Sequence, residues 1–165
     1  MAPAVTQPGV SLLLRILEEA WGKKAWHGTT LRGSIRGLTL EEALRRPAEG
    51  RHNVAELVLH AAYWKYSVRR RLALQKRGSF PLAGSNWFPA DDGFTAEQWK
   101  KAVRILGAEH EALRSAVAGL QDSDLDRKPA GGGIWTMGQL VSGVAAHDLY
   151  HAGQIQLVKR LVRPE

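Results

Sequence analysis

An all-α fold, a four-helix bundle, is the class this sequence predicts, and three observations predict it. Four long segments place apolar residues at intervals of three and four, the period of one helix face. Thr39 with Glu42, Thr95 with Gln98 and Thr136 with Gln139 each form the spacing of a capping box, the first ahead of a short helix and the others ahead of long ones. Nowhere do polar and apolar residues alternate as in a half-buried strand. The 165 residues suit a single domain, 1–165, with a sizeable core, and are short for two.

In chain order, the first helix follows Pro8 and Gly9. It carries Val10, Leu13, Leu14, Leu17 and Trp21 as its stripe, and Gly22 ends it. The first connector holds a short extra helix between Leu38 and Pro47, opened by the Thr39 box and stopped by the proline. The second long helix is expected from about Asn53 to Gly78, with Val54, Leu57, Ala61, Trp64, Val68 and Leu72 facing the core and Gly78 as the C-terminal cap. Residues 79–94 then form a connection long for a compact domain. Trp87 and Phe88 within it predict a packed lid or crossover. The third helix starts behind Thr95 with the stripe Trp99, Val103, Leu106, His110, Leu113, Val117 and Leu120. After a flexible Gly131–Gly133 hinge, the fourth starts behind Thr136 with the seam Met137, Leu140, Val144, His147, His151, Ile155, Val158 and Val162.

Two histidines one turn apart in an otherwise apolar seam call for an explanation, because an unpaired buried polar group costs on the order of 1–3 kcal/mol. A metal ion shared by His147 and His151 supplies one. His60 lies at the edge of the second helix's core stripe and faces the same interior, which gives a three-nitrogen set with open positions. The alternative is that each is a core histidine hydrogen-bonded to a buried carboxylate or carbonyl. His110 falls in the third helix's seam as a fourth ligand, an outer donor, a pocket-lining group or a plain core or dimer-interface residue. His52 projects away from its helix's core stripe and reads as a solvated loop residue. His27 borders the pocket or caps the first helix, and Trp64 is a further candidate to line the pocket.

Other chemistries are narrowed by what the chain contains. Without cysteine there are no disulfides, thiolate zinc sites, iron–sulfur clusters or protein thiol nucleophile. His147-Asp-Leu-Tyr-His151 puts Asp148 where a zincin has its general-base Glu, about 60° off the seam, so a zincin protease is disfavoured. The repeated Glu-x-x-His pairs that a di-iron bundle needs do not occur. The net charge of +7 is concentrated at helix ends: Arg69, Arg70, Arg71, Lys76 and Arg77 at one, Lys159, Arg160 and Arg163 at another. That placement suits the helix dipole, and no nucleic-acid motif accompanies it, so a nucleic-acid partner is not expected. Neither a signal peptide near Met1–Val10 nor a membrane span is recognisable, and the expectation is a cytoplasmic protein.

Four stretches carry a family likeness: Ala146-His-Asp-Leu-Tyr-His-Ala-Gly-Gln-Ile155, Arg51 to Trp64 with Ala55-Glu-Leu-Val-Leu-His60 inside it, Trp26-His27-Gly28, and Gly37-Leu38-Thr39 through Pro47. Over nearly its whole length the chain resembles the DinB family, the YfiT-like bundles of metal-dependent enzymes. The resemblance implies an up-down-down-up bundle with a crossover, and one divalent ion, nickel or zinc, held by His60, His147 and His151. It also implies a homodimer acting on a small-molecule substrate. Characterised relatives include transferases and isomerases that use low-molecular-weight thiols such as bacillithiol or mycothiol. The expected function is therefore a low-molecular-weight-thiol S-transferase or a hydrolase, with a non-catalytic metal- or ligand-binding stress-response bundle as the alternative. Glu56, Tyr150 and Gln154 flank the ligands by helical spacing. Glu56 is expected to orient the His60 ring or accept a proton, or else to be a solvated helix carboxylate.

Overall fold

The computed structural model describes residues 7–22 and 24–163. The domain boundaries set at 1 and 165, and most of the N-terminal stretch read for a signal peptide, lie outside them. Among the described residues there are six α-helices, one 3-10 turn and no strand: α1 Pro8–Trp21, α2 Leu31–Ser34, α3 Leu40–Leu44, α4 Val54–Leu72, α5 Ala96–Ala118, the 3-10 turn Asp122–Asp124 and α6 Met137–Val162. All three expected capping boxes form, at Thr39, Thr95 and Thr136. The first connector holds two short helices rather than one. Thr30 caps the unexpected one by accepting a hydrogen bond from the Gly33 amide at 3.1 Å.

One boundary differs from expectation. α4 stops at Leu72, six residues before Gly78, so Lys76 and Arg77 lie beyond it. The Gln75 amide donates to the Arg70 carbonyl at 2.7 Å and the Leu74 amide to Arg71 at 3.4 Å, the paired bonds of a Schellman ending. Leu74 takes the left-handed position with φ 55°. Arg69 locks the turn by donating to the Gln75 side chain at 2.6 Å. Gly78 serves instead where the chain folds back, its amide donating to the Tyr66 hydroxyl at 3.0 Å.

The long helices pack in four pairs, α1 on α5 and α6, and α4 on α5 and α6. Their ends are tied by specific bonds. The Asp122 carboxylate accepts from the Gly9 and Val10 amides at 3.0 and 2.9 Å, capping the start of α1 from the 3-10 turn that follows α5. The Leu125 carbonyl accepts from the Gly138 amide at 2.9 Å, and a Cβ at Gly138 would come within 3.1 Å of that oxygen. At the far end of α6, Lys159 donates to the Ser34 carbonyl and Arg163 pairs with Glu42. Buried Asn53 caps α4 and also donates to the Ala90 carbonyl at 2.7 Å, fastening the long connector to the helix start.

Two apolar clusters fill the interior. One gathers Val54 to Ala62 of α4, Trp99 to Leu106 of α5 and Ala152 to Val158 of α6, while the other gathers Val68 and Leu72, Leu113 and Val117, and Met137 to Ala145. Between them lies a polar layer, Lys65 of α4, His110 of α5 and Asp148 of α6, each 1 % exposed or less. Asp148 therefore sits in the core face of α6, not off to one side of it. The expected seam is rotated by a fraction of a turn, which leaves His147 only partly buried.

Candidate metal centre

His60 reaches the interior from the first half of α4, and His147 and His151 from the middle of α6. Their ligand atoms lie within 4.8 Å of one another. The Nε2 of His147 is 3.2 Å from the Nε2 of His60 and 3.0 Å from that of His151. The outer nitrogens set the tautomers. His60 Nδ1–H donates to the Asn86 carbonyl at 2.9 Å, and His151 Nδ1–H donates to Gln154 Oε1 at 2.6 Å. Both Nε2 atoms are thus lone-pair acceptors aimed at His147. A proton on His147 Nε2 can satisfy one of them and leaves the other facing a nitrogen with nothing between.

A cation resolves that conflict. Bonds of 2.0–2.1 Å to a tetrahedral ion put imidazole nitrogens roughly 3.3 Å apart, close to the spacing found. His147 Nδ1 is buried without a hydrogen-bond partner, so only its Nε2 has a function in sight. The three neutral nitrogen donors fit a borderline divalent ion. Burial keeps the rings neutral: it pulls His60 below the usual histidine range and, with neighbouring positive charge, brings His147 to about 3. Burial likewise brings His151 to about 4 against the opposing Gln154 bond. At neutral pH the lone pairs are free for a ligand.

The connector between α4 and α5, expected as a packed lid or crossover, supplies one wall of the site. Asn86 takes φ 64°, a left-handed conformation that Asn tolerates, and its side-chain oxygen accepts from Trp64 Nε1 at 3.0 Å while its carbonyl holds His60. Trp87 is stacked between two imidazoles, His60 at 3.8 Å and His52 at 3.6 Å. His52 is exposed and precedes α4 as expected, yet its ring is engaged. It lines the same cavity as the three histidines and bonds Glu56 at 2.8 Å. The signal for this was a Trp beside an Asn in an otherwise Gly- and Pro-rich loop.

Glu56 is buried, and its carboxylate bonds Arg46, His52 and Ala90 rather than His60. Arg46 grips it with two bonds of 2.6 and 3.0 Å, and the Ala90 amide donates to it at 3.3 Å. Desolvation works against its charge, yet the bonds from Arg46, His52 and Ala90 hold it down to about 2. It supports the wall rather than the ring. Gln154 orients His151 and donates to the exposed Tyr150 hydroxyl at 3.1 Å, so these two stand at the mouth. Trp64 turns its ring edge to His60 and His147 and lines a separate cavity of about 680 Å³ behind His147.

His110 is not part of the group. It stacks on Trp21 at 4.5 Å with its Nδ1 3.4 Å from the Lys65 ammonium, and burial together with Lys65 and Arg114 brings it down to about 3. Lys65 pairs with Asp148, directly after ligand candidate His147. Burial pushes the Asp148 carboxyl up, and Lys65 offsets part of that. Both occupy core-stripe positions, Lys65 four after Ala61 and Asp148 four after Val144, and that was their signal in the sequence. His27 is exposed and does not line the cavity.

The cavity in front of the three Nε2 atoms measures about 480 Å³. No helix among the described residues is long and apolar enough to cross a membrane. A family model described as the DinB superfamily matches residues 25–155. No curated protein and no solved structure matches the chain.

Proposed function

The chain belongs to the DinB superfamily, and on that premise we propose that it is a metal-dependent enzyme, a low-molecular-weight-thiol S-transferase or a hydrolase. His60, His147 and His151 hold its one divalent ion, nickel or zinc. The observation that carries the reading is the convergence of three Nε2 atoms, two of them stripped of protons by the bonds to Asn86 and Gln154. The frame is read as an up-down-down-up bundle. In support, α4 and α5 both run from the first apolar cluster to the second, whereas α6 runs the other way and α1 begins beside its start.

A bound divalent ion supplies Lewis acidity, which lowers the pKa of a water or thiol in its open position toward neutrality. The chain's own residues prepare for it. Asn86 and Gln154 fix ring orientation and tautomer, as outer partners of metal-ligating histidines do. Trp87 covers one face of His60 and shields it from water. With no cysteine in the chain, a thiolate nucleophile must come from a cosubstrate. Arg51, at the cavity wall, is a cation placed to attract an anionic one. A homodimer in the cytoplasm completes the reading.

Metal analysis of untagged protein tests the site first. One divalent ion per chain and a lower Tm in EDTA are expected, and absence of the ion with unchanged stability would falsify the reading. A screen of electrophiles with small thiols then tests turnover, which must vanish in His151→Ala with the fold intact. Stoichiometric metal without turnover turns the reading to the non-catalytic binder.

A further inference from the structure

α6 leaves an apolar edge in solvent that no packing accounts for. Leu157 is 58 % exposed and Leu161 62 %, and both line the cavity that contains the three histidines. Buried Leu57 and Val158 line that cavity with them, 3 % and 7 % exposed. At a rise of about 1.5 Å per residue, Leu157 and Leu161 stand roughly 9 and 15 Å along the helix from His151. The cavity is thus a cleft with nitrogen donors at one end and an aliphatic trough leading away from them. Arg51 is its one guanidinium, and no carboxylate among the described residues lines it.

We propose that the cleft takes an elongated substrate with an apolar chain or ring system, which lies in the Leu57–Leu157–Leu161 trough and presents an anionic or metal-binding head to the histidines beside Arg51. This rests on the metal reading above for its head group, while the trough stands on its own apolar residues. The volume of about 480 Å³ falls within the ordinary range of small-molecule sites. Charge decides the head: a cationic one would meet Arg51 and the metal with no acidic partner.

The test uses metal-loaded protein, with metal content measured in the same sample, and two probes that differ only in chain length, acetohydroxamate and octanohydroxamate. Buried methylenes should make the longer probe bind at least about tenfold more tightly. In the double variant Leu157→Asp, Leu161→Asp the ratio should fall below about threefold. Equal binding of both probes to the native protein overturns the proposal, as does a tenfold preference that survives the double variant. A native dimer that the double variant dissociates, with no chain-length preference, gives the edge to a second copy and also overturns it. Octanoate against acetate on metal-free protein separates the two readings: failure to bind metal sinks the enzyme reading, whereas loss of the octanoate preference sinks the trough.

Discussion

The Lys65 ammonium meets the Asp148 carboxylate between the two apolar clusters, and neither side chain has any solvent exposure. Removing one partner of such a pair leaves an uncompensated buried charge, at a cost of about 3–5 kcal/mol. Asp148→Ala should lose that much in urea unfolding, and the double replacement Lys65→Met, Asp148→Leu should regain most of it. A loss below about 1 kcal/mol in the single variant would show that the pair is not what holds this layer.

Metal should stabilise the native state by mass action. At a free concentration of about 100 times Kd the gain is roughly 2.7 kcal/mol. Differential scanning calorimetry with nickel or zinc should show a rise in Tm for the native protein and none for His151→Ala. Equal shifts in both would place the ion elsewhere.

Gln154→Leu should keep all three histidines but free the His151 ring from its 2.6 Å bond. Loss of an outer hydrogen bond typically weakens metal binding by about 10- to 100-fold. Competition titration against a chelator measures it, and an unchanged affinity would remove Gln154 from the site.

Acid should unfold the metal-stripped protein early. His110, His147 and His151 stand near 3, 3 and 4 in the folded state against 6.5 when free. Lowered values mean that the unfolded chain binds more protons through this window. Stability is then full above about pH 6.5 and falls as pH drops toward 4, by up to about 1.4 kcal/mol per pH unit for each ring. Denaturant midpoints that stay level between pH 6.5 and 4.5 would contradict the burial of these rings.

Leu74 holds a left-handed φ of 55° with its side chain 65 % exposed, so it bears conformational strain for little burial. Leu74→Gly should stabilise the protein by roughly 0.5–1 kcal/mol. A destabilised variant would reveal a contact of the Leu74 side chain that outweighs the strain.

Local chemistry made much of this legible in the sequence. The boxes at Thr39, Thr95 and Thr136 depend on residues three apart, and the convergence of His60, His147 and His151 follows from which helix face each occupies. What escaped depends on partners far away in the chain. A stripe read for apolar residues passes over Lys65 and Asp148, because a buried charge makes sense only beside its counter-charge. The contact between exposed His52 and Trp87 was hidden because Trp87 belongs to another segment. The early end of α4 went unseen because the left-handed position fell to a leucine, where glycine is the usual signal.

The polar layer also sets where the helices stop sliding. A shift of α6 by one turn against α4, about 5.4 Å, would bring Lys65 opposite Val144 or Ala152 and strand its charge in hydrocarbon. His147 and His151 sit on either side of Asp148, so the alignment that satisfies Lys65 is the same one that brings them level with His60. A pair outside the histidine cluster thereby acts as the ruler for its three rings.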